Sequence, residues 1–167
     1  MINRLVAFLL VGTVHMAAAQ QPSPCVSAQH RQFDFWIGEW EVLRADGQRA
    51  GTNRIERILD GCVLYESWTG AGPSRGHSLN AWDPGDNKWH QTWMDNGGTV
   101  LMIAGGIVNG EMVMEGERRL ADGTRQLERI TWTPNADGSV RQQWQASRDQ
   151  GMRWTTVFDG TYRRKAR

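Results

Sequence analysis

Phe33-Asp34-Phe35-Trp36-Ile37-Gly38-Glu39-Trp40-Glu41-Val42 follows a polar N-terminal tail and places apolar residues and one glycine at alternate positions. Successive side chains of an extended chain point to opposite faces, so Trp36, Gly38, Trp40 and Val42 share one face, and Ile37, Glu39 and Glu41 share the other. The pattern predicts a first strand with one face turned toward a core.

Downstream, the chain reads as strand and turn with hardly a helical period. The turns are written in glycine, aspartate and asparagine, as at Ala45-Asp46-Gly47, Asp60-Gly61, Asp83-Pro84-Gly85-Asp86-Asn87, Asp95-Asn96-Gly97-Gly98, Asn109-Gly110, Asp122-Gly123 and Asn135-Ala136-Asp137-Gly138. With further turns at Gly70 to Arg75 and Arg148 to Gly151, the expected strands are 36–44, 51–59, 62–69, 76–82, 88–95, 99–106, 111–119, 125–133, 139–147 and 152–163. Loops this short force antiparallel hairpins, because a parallel connection needs a crossover of about a dozen residues or more. An open meander of about ten strands would expose two long edges, so an all-β, closed, up-and-down barrel is expected. A β-sandwich is the alternative, but it usually shows longer crossovers.

Upstream, Arg4, the apolar run Leu5 to Val14 and Ala17-Ala18-Ala19 before Gln20 have the layout of a secretory signal peptide. The run is shorter than the roughly 20 residues of a spanning helix, so cleavage after Ala19 is expected rather than membrane anchoring. The domain plan is then a signal peptide at 1–19, a tail with a helical turn at 20–35, and one barrel domain at 36–167. Ser27 is placed to cap that turn, which runs to Phe33. Cleavage removes Arg4 alone among charged residues and leaves acidic and basic residues equal in number, with no footprint for nucleic acid. The expected location is periplasmic or extracellular. The two cysteines, Cys25 and Cys62, survive cleavage, and in an oxidising compartment such a pair is expected to form a disulfide. No Cys-x-x-Cys or Cys/His cluster is present, so no metal site and no redox role are expected.

Gly38-Glu39-Trp40 at the start of the first strand resembles the Gly-x-Trp opening of calycin barrels, which include lipocalins, fatty-acid-binding proteins and nitrobindins. The whole stretch from Phe33 to Val42 also resembles the opening of an uncharacterised family of small secreted bacterial barrels. The resemblance implies that Trp40 plugs one barrel end, with Gly38 permitting close approach and Arg163 or Arg164 of the last strand over the ring. Such a plug would make Trp40 far more sensitive to truncation than Trp89, if Trp89 is on the outer wall. Nitrobindins ligate haem through a histidine near the C-terminal end of the barrel. This chain has no histidine after His90, so no cofactor is expected. Ser147-x-Asp149-x-Gly151-x-x-Trp154 resembles the Asp-box hairpin of sialidases and other propellers, with Arg153 replacing its usual threonine. That motif is structural and occurs once here, which argues against a propeller.

Nine tryptophans, Trp36, Trp40, Trp68, Trp82, Trp89, Trp93, Trp132, Trp144 and Trp154, recur on most of the strands. Filling and capping a core is their ordinary use; stacking against a ligand inside a cavity is the other. Trp68 shares a strand face with Glu66 and Leu64, Trp93 with Gln91 and Trp89, Trp144 with Gln142 and Val140, and Trp82 with Ser78 and Asn80. If these faces point inward, the interior is a polar and aromatic pocket; if outward, the same residues are a solvated wall, since one residue of slip swaps every assignment. The candidate ligand-binding residues are Trp40, Glu66, Trp68, Ser78, Asn80, Gln91, Trp93, Gln142 and Trp144.

The sequence enforces no catalytic constellation. It has no Gly-x-Ser-x-Gly elbow, and glycine-rich 70–76 leads into a strand rather than a helix. His77 and His90 lie on neighbouring strands and lack a third ligand. Three functions remain open: a binding protein for a small hydrophobic or amphipathic molecule, a lipocalin-fold enzyme with Glu66 as a desolvated general base, and a structural or partner-binding domain with a filled interior. Pocket volume separates the third from the others.

Overall fold

The computed structural model describes residues 25–165; the expected signal peptide lies outside them. Ten strands follow in chain order: β1 Gly38–Arg44, β2 Arg49–Ile58, β3 Val63–Gly70, β4 Arg75–Asp83, β5 Lys88–Asp95, β6 Val100–Val108, β7 Glu111–Arg119, β8 Arg125–Pro134, β9 Val140–Ser147 and β10 Thr155–Arg164. Each pairs antiparallel with its neighbours, and β1 pairs with β10 to close the barrel, with Trp40 opposite Arg164 and Val42 opposite Tyr162. Closure leaves no sheet edge unpaired, which removes the hazard that exposed strand edges present.

The turns after odd-numbered strands lie at one end of the barrel and those after even-numbered strands at the other, together with the N-terminal segment. That segment forms two 3-10 turns, Gln29–Arg31 and Asp34–Trp36, before β1 begins. Two local expectations are thereby corrected. Trp36 is not on the first strand; stacking of its ring on Phe33, at 4.9 Å between centroids, holds it in the turn. Ser27 does not cap the first turn: its hydroxyl lies 2.8 Å from His30 Nδ1, and the cap position, Ala28, makes no side-chain bond.

The 3-10 turns close the even-turn end with aromatic packing. Phe33 also meets Trp89 and Trp132 edge-on, at 5.7 and 5.1 Å, and Trp36 packs on Trp132 and Tyr162. Trp89 is therefore buried, not on the outer wall, and its indole N–H donates to Gln29 O at 3.2 Å. Trp40 is fully buried, donates from Nε1 to Trp36 O at 2.9 Å, and carries the Arg164 guanidinium 4.4 Å from its ring centroid. Gly38 allows this approach. It has φ of 145°, and a Cβ there would stand 2.5 Å from Arg164 Nη1. The Cys25–Cys62 disulfide ties the N-terminal segment to the turn before β3. On a loop-entropy account such a link stabilises the fold by about 4 kcal/mol.

Burial alternates along most strands, and the outer wall carries ion pairs such as Arg129–Glu115 and Arg141–Asp159. At the open end the β9–β10 hairpin is held by its own side chains. Ser147 Oγ donates to Asp149 Oδ1 at 2.8 Å and accepts from Gly151 N, while Asp149 Oδ1 accepts from Arg153 N. Trp154 lies beneath Arg129, 4.1 Å from ring centroid to guanidinium. These bonds occupy the residues through Arg153, so β10 starts at Thr155 rather than 152.

Candidate functional site

Above the aromatic plug the barrel is hollow. A cavity of about 420 Å³ opens at the odd-turn end, between Arg44, the β3–β4 turn at 71–74 and Val157. The register fixes which pleat faces it. Glu66 lies opposite Ser78, Ser78 opposite Trp93, and Asn80 opposite Gln91, so these residues share the inward face of β3, β4 and β5.

Glu66, Trp68, Gln91, Trp93, Gln142 and Trp144 all line the cavity, as the inward assignment of their faces requires. Trp40, Ser78 and Asn80 do not. Trp40 belongs to the plug, where Tyr162 meets its ring at 6.2 Å. Ser78 and Asn80 are buried in the wall with their polar groups turned to neighbouring side chains. Trp93 folds over Gly76 of the adjacent strand, where any Cβ would stand 2.3 Å from the ring, so glycine there is what lets the indole lie flat on the wall.

The most deeply buried carboxylate lining the cavity is Glu66, which is 4% exposed. Asn53 Nδ2 donates to its Oε1 at 2.6 Å and Ser78 Oγ to its Oε2 at 2.6 Å. The network continues on both sides. Gln91 Nε2 donates to Asn80 Oδ1 and Asn80 Nδ2 to Ser78 Oγ; Asn53 Nδ2 also reaches the Tyr162 hydroxyl at 3.3 Å, which in turn donates to Gln142 Oε1. Six strands thus contribute to one hydrogen-bonded belt around the cavity, in which Asn53 Oδ1 alone of the belt's atoms is buried without a partner among the described residues, and such networks hold side chains in place. Burial raises the Glu66 pKa from 4.5 to about 7, against the lowering effect of the bonds from Ser78 and Asn53. Burial, and then the Glu66 charge, push the Tyr162 phenol well above its usual range, so it stays protonated.

Several residues of this site were not picked out by sequence reasoning. Asn53 and Tyr162 become neighbours of Glu66 only through the β1–β10 closure and the β2–β3 register. A bulge between Thr156 and Phe158 turns both Val157 and Phe158 to the cavity, and Phe158 meets Trp68 edge-on at 6.1 Å. A second inward carboxylate, Glu128 on β8, is fully buried. It accepts from Arg118 Nε, from Gln126 Nε2 at 2.8 Å and from Trp144 Nε1 at 2.7 Å, so it anchors one indole of the cavity wall. A strand pattern alone carries no signal for the bulge; the i, i+2 alternation of Gln126, Glu128 and Ile130 does mark Glu128 as sharing a face with core residues.

His77 and His90 do not approach each other. The His77 ring stacks on Tyr65, whose hydroxyl lies 2.7 Å from its Nδ1, and His90 pairs with Asp86 at 2.9 Å. Asp83, Asp86 and His90 bring three possible metal-ligand atoms within 4.8 Å of one another in the β4–β5 turn. That turn is at the closed end, away from the cavity, and none of the three lines it. No family model matches the chain, and no curated protein matches it.

Proposed function

We propose that this protein is a secreted, calycin-like binding protein that holds a small hydrophobic or amphipathic molecule inside its barrel. The observation that carries this is the cavity. Its volume of about 420 Å³ falls within the range of roughly 300 to 1,000 Å³ typical of small-molecule sites, and its walls combine indole faces with a few fixed polar groups. An interior so hollow argues against a domain whose core is simply filled. The disulfide fits an oxidising compartment outside the cytoplasm, and no helix among the described residues is long and apolar enough to cross a membrane.

Native mass spectrometry of protein drawn from its own envelope tests this reading. A single small molecule should be retained under gentle ionisation and lost on denaturation. Bare protein that also fails to take up the neutral apolar dye Nile red would reject it.

One observation favours a second reading, an enzyme using Glu66 as general base. A carboxylate whose pKa is about 7 is matched to proton abstraction near neutral pH. Recovery of the bound molecule unchanged after prolonged incubation with protein would exclude it.

A further inference from the structure

The two buried carboxylates of the barrel interior differ in one respect. Glu128 has a cation: the Arg118 guanidinium completes a set with Gln126 and the Trp144 indole N–H. Glu66 receives two neutral donors, Asn53 and Ser78, and no cationic side chain bonds to it among the described residues. A buried carboxylate is ordinarily paired or neutralised, because desolvation of an isolated charge is costly. Glu66 also lines the open cavity. Around that space stand Trp68, Trp93 and Trp144, and two of these indoles are held by their edges. Trp144 Nε1 donates to Glu128, and Trp93 Nε1 approaches Asp95 Oδ2 at 3.4 Å. Indole faces attract cations through the ring quadrupole, so a carboxylate among several indoles is the arrangement that recognises an organic cation.

We propose that the cavity takes an amphipathic organic cation, an amine or amidine on a flat apolar body, whose charged head sits against Glu66 among Trp68, Trp93 and Trp144. The inference rests on the cavity being a ligand site and names the chemistry of its ligand. The other charged or titratable groups facing the cavity are Tyr162 on β10, which stays protonated, and Arg44 on β1 and Asp95 on β5, which are opposite in sign and lie toward the mouth. None of these is a counter-ion bonded to Glu66. A bound cation favours the ionised carboxylate, so binding should tighten as pH rises toward neutrality and release a proton below it.

The test uses the mature, disulfide-intact protein and calorimetric titration with tryptamine, its neutral isostere tryptophol, and indoleacetate. At about pH 8 tryptamine should bind roughly tenfold or more tightly than tryptophol, with indoleacetate weakest. At about pH 6 the tryptamine affinity should fall by roughly tenfold while tryptophol hardly changes. Glu66→Gln, verified as folded by its near-ultraviolet dichroism, should bring the two to parity. If that variant does not fold, the pH dependence of the tryptamine-to-tryptophol ratio in the unaltered protein decides alone. Equal affinities, or an advantage for tryptamine that ignores both pH and Glu66→Gln, would overturn the cation while leaving the cavity a binding site. If none of the three ligands and no Nile red enters, the binding function itself fails and the cation with it.

Discussion

Replacing Glu66 by glutamine should change how stability depends on pH. In the folded chain burial holds the Glu66 pKa at about 7, against 4.5 for an ordinary glutamate. Below the lower value both states are protonated and the group contributes no pH dependence. Between the two values the unfolded chain releases its proton while the folded chain retains it, so stability falls as pH rises, and above the upper value the loss is complete. At about 1.36 kcal/mol per pH unit the full loss is about 3 kcal/mol, most of which falls between pH 5 and pH 8. Glutamine has the same shape and can accept from Asn53 and donate to Ser78, but it has no proton to lose. Urea denaturation of both proteins at about pH 5 and about pH 8 supplies the measurement. The stability of Glu66→Gln relative to the parent should rise by about 2 to 3 kcal/mol across that interval. Other carboxylates, such as Asp149 with its lowered pKa, titrate alike in both proteins and cancel. If the two stability curves run parallel, Glu66 is not held protonated near neutrality, and the desolvated environment assigned to it is wrong.

Gly38→Ala should cost about 1 to 3 kcal/mol, since the backbone there is at φ 145° and the new methyl displaces Arg164; thermal melts would show it, and an unchanged midpoint would remove Arg164 from Trp40. Arg118→Leu should cost about 3 to 5 kcal/mol by leaving Glu128 buried and unpaired, and Arg118→Leu with Glu128→Leu should recover part of that loss; equal losses in both proteins would mean the pair is not a unit. Denatured but unreduced protein should show no free thiol, and Cys62→Ser should cost about 2 to 5 kcal/mol; two reactive thiols would disprove the bridge.

The ten strands were legible because nearly every turn is written locally, by glycine, aspartate or asparagine between alternating segments. The departures all have non-local causes. Trp36 continues the alternation of β1 in sequence, yet its place is set by Phe33 and Trp132, the latter nearly a hundred residues away in the chain. Trp89 reads like any wall tryptophan until the N-terminal segment folds across it. In the site, the shared faces of Glu66 with Trp68 and of Gln91 with Trp93 were visible as an i, i+2 pattern. Which side faced inward was not, because the pleat is symmetric until closure fixes it. Tyr162 was missed because its closeness to Glu66 depends on the pairing of first and last strands, and Asn53 because the β2–β3 register sets it beside Glu66; no local spacing encodes either.

The plug and the cavity are parts of one device. A cavity withdraws packing from the core, and large-to-small changes in cores commonly cost several kcal/mol. In this barrel the dense packing is concentrated at one end, where Phe33, Trp36, Trp40, Trp89 and Trp132 are all buried. Every strand lies within one closed sheet, so fixing the register at the plug also fixes it at the mouth. Tyr162 shows the continuity directly. One edge of its ring meets Trp36 and Trp40 in the plug, while its hydroxyl donates to Gln142 in the belt around the cavity. The belt then holds Glu66, Gln91 and Gln142 in place without a ligand, so binding needs little further ordering of these groups. Loosening the plug should accordingly weaken binding at a site it does not touch. Phe33→Ala, measured well below its unfolding transition, should lower tryptamine affinity several-fold, even though Phe33 does not line the cavity. Unchanged affinity in a destabilised but folded variant would show that the belt is held by its own hydrogen bonds alone, and the dependence of mouth on plug would be refuted.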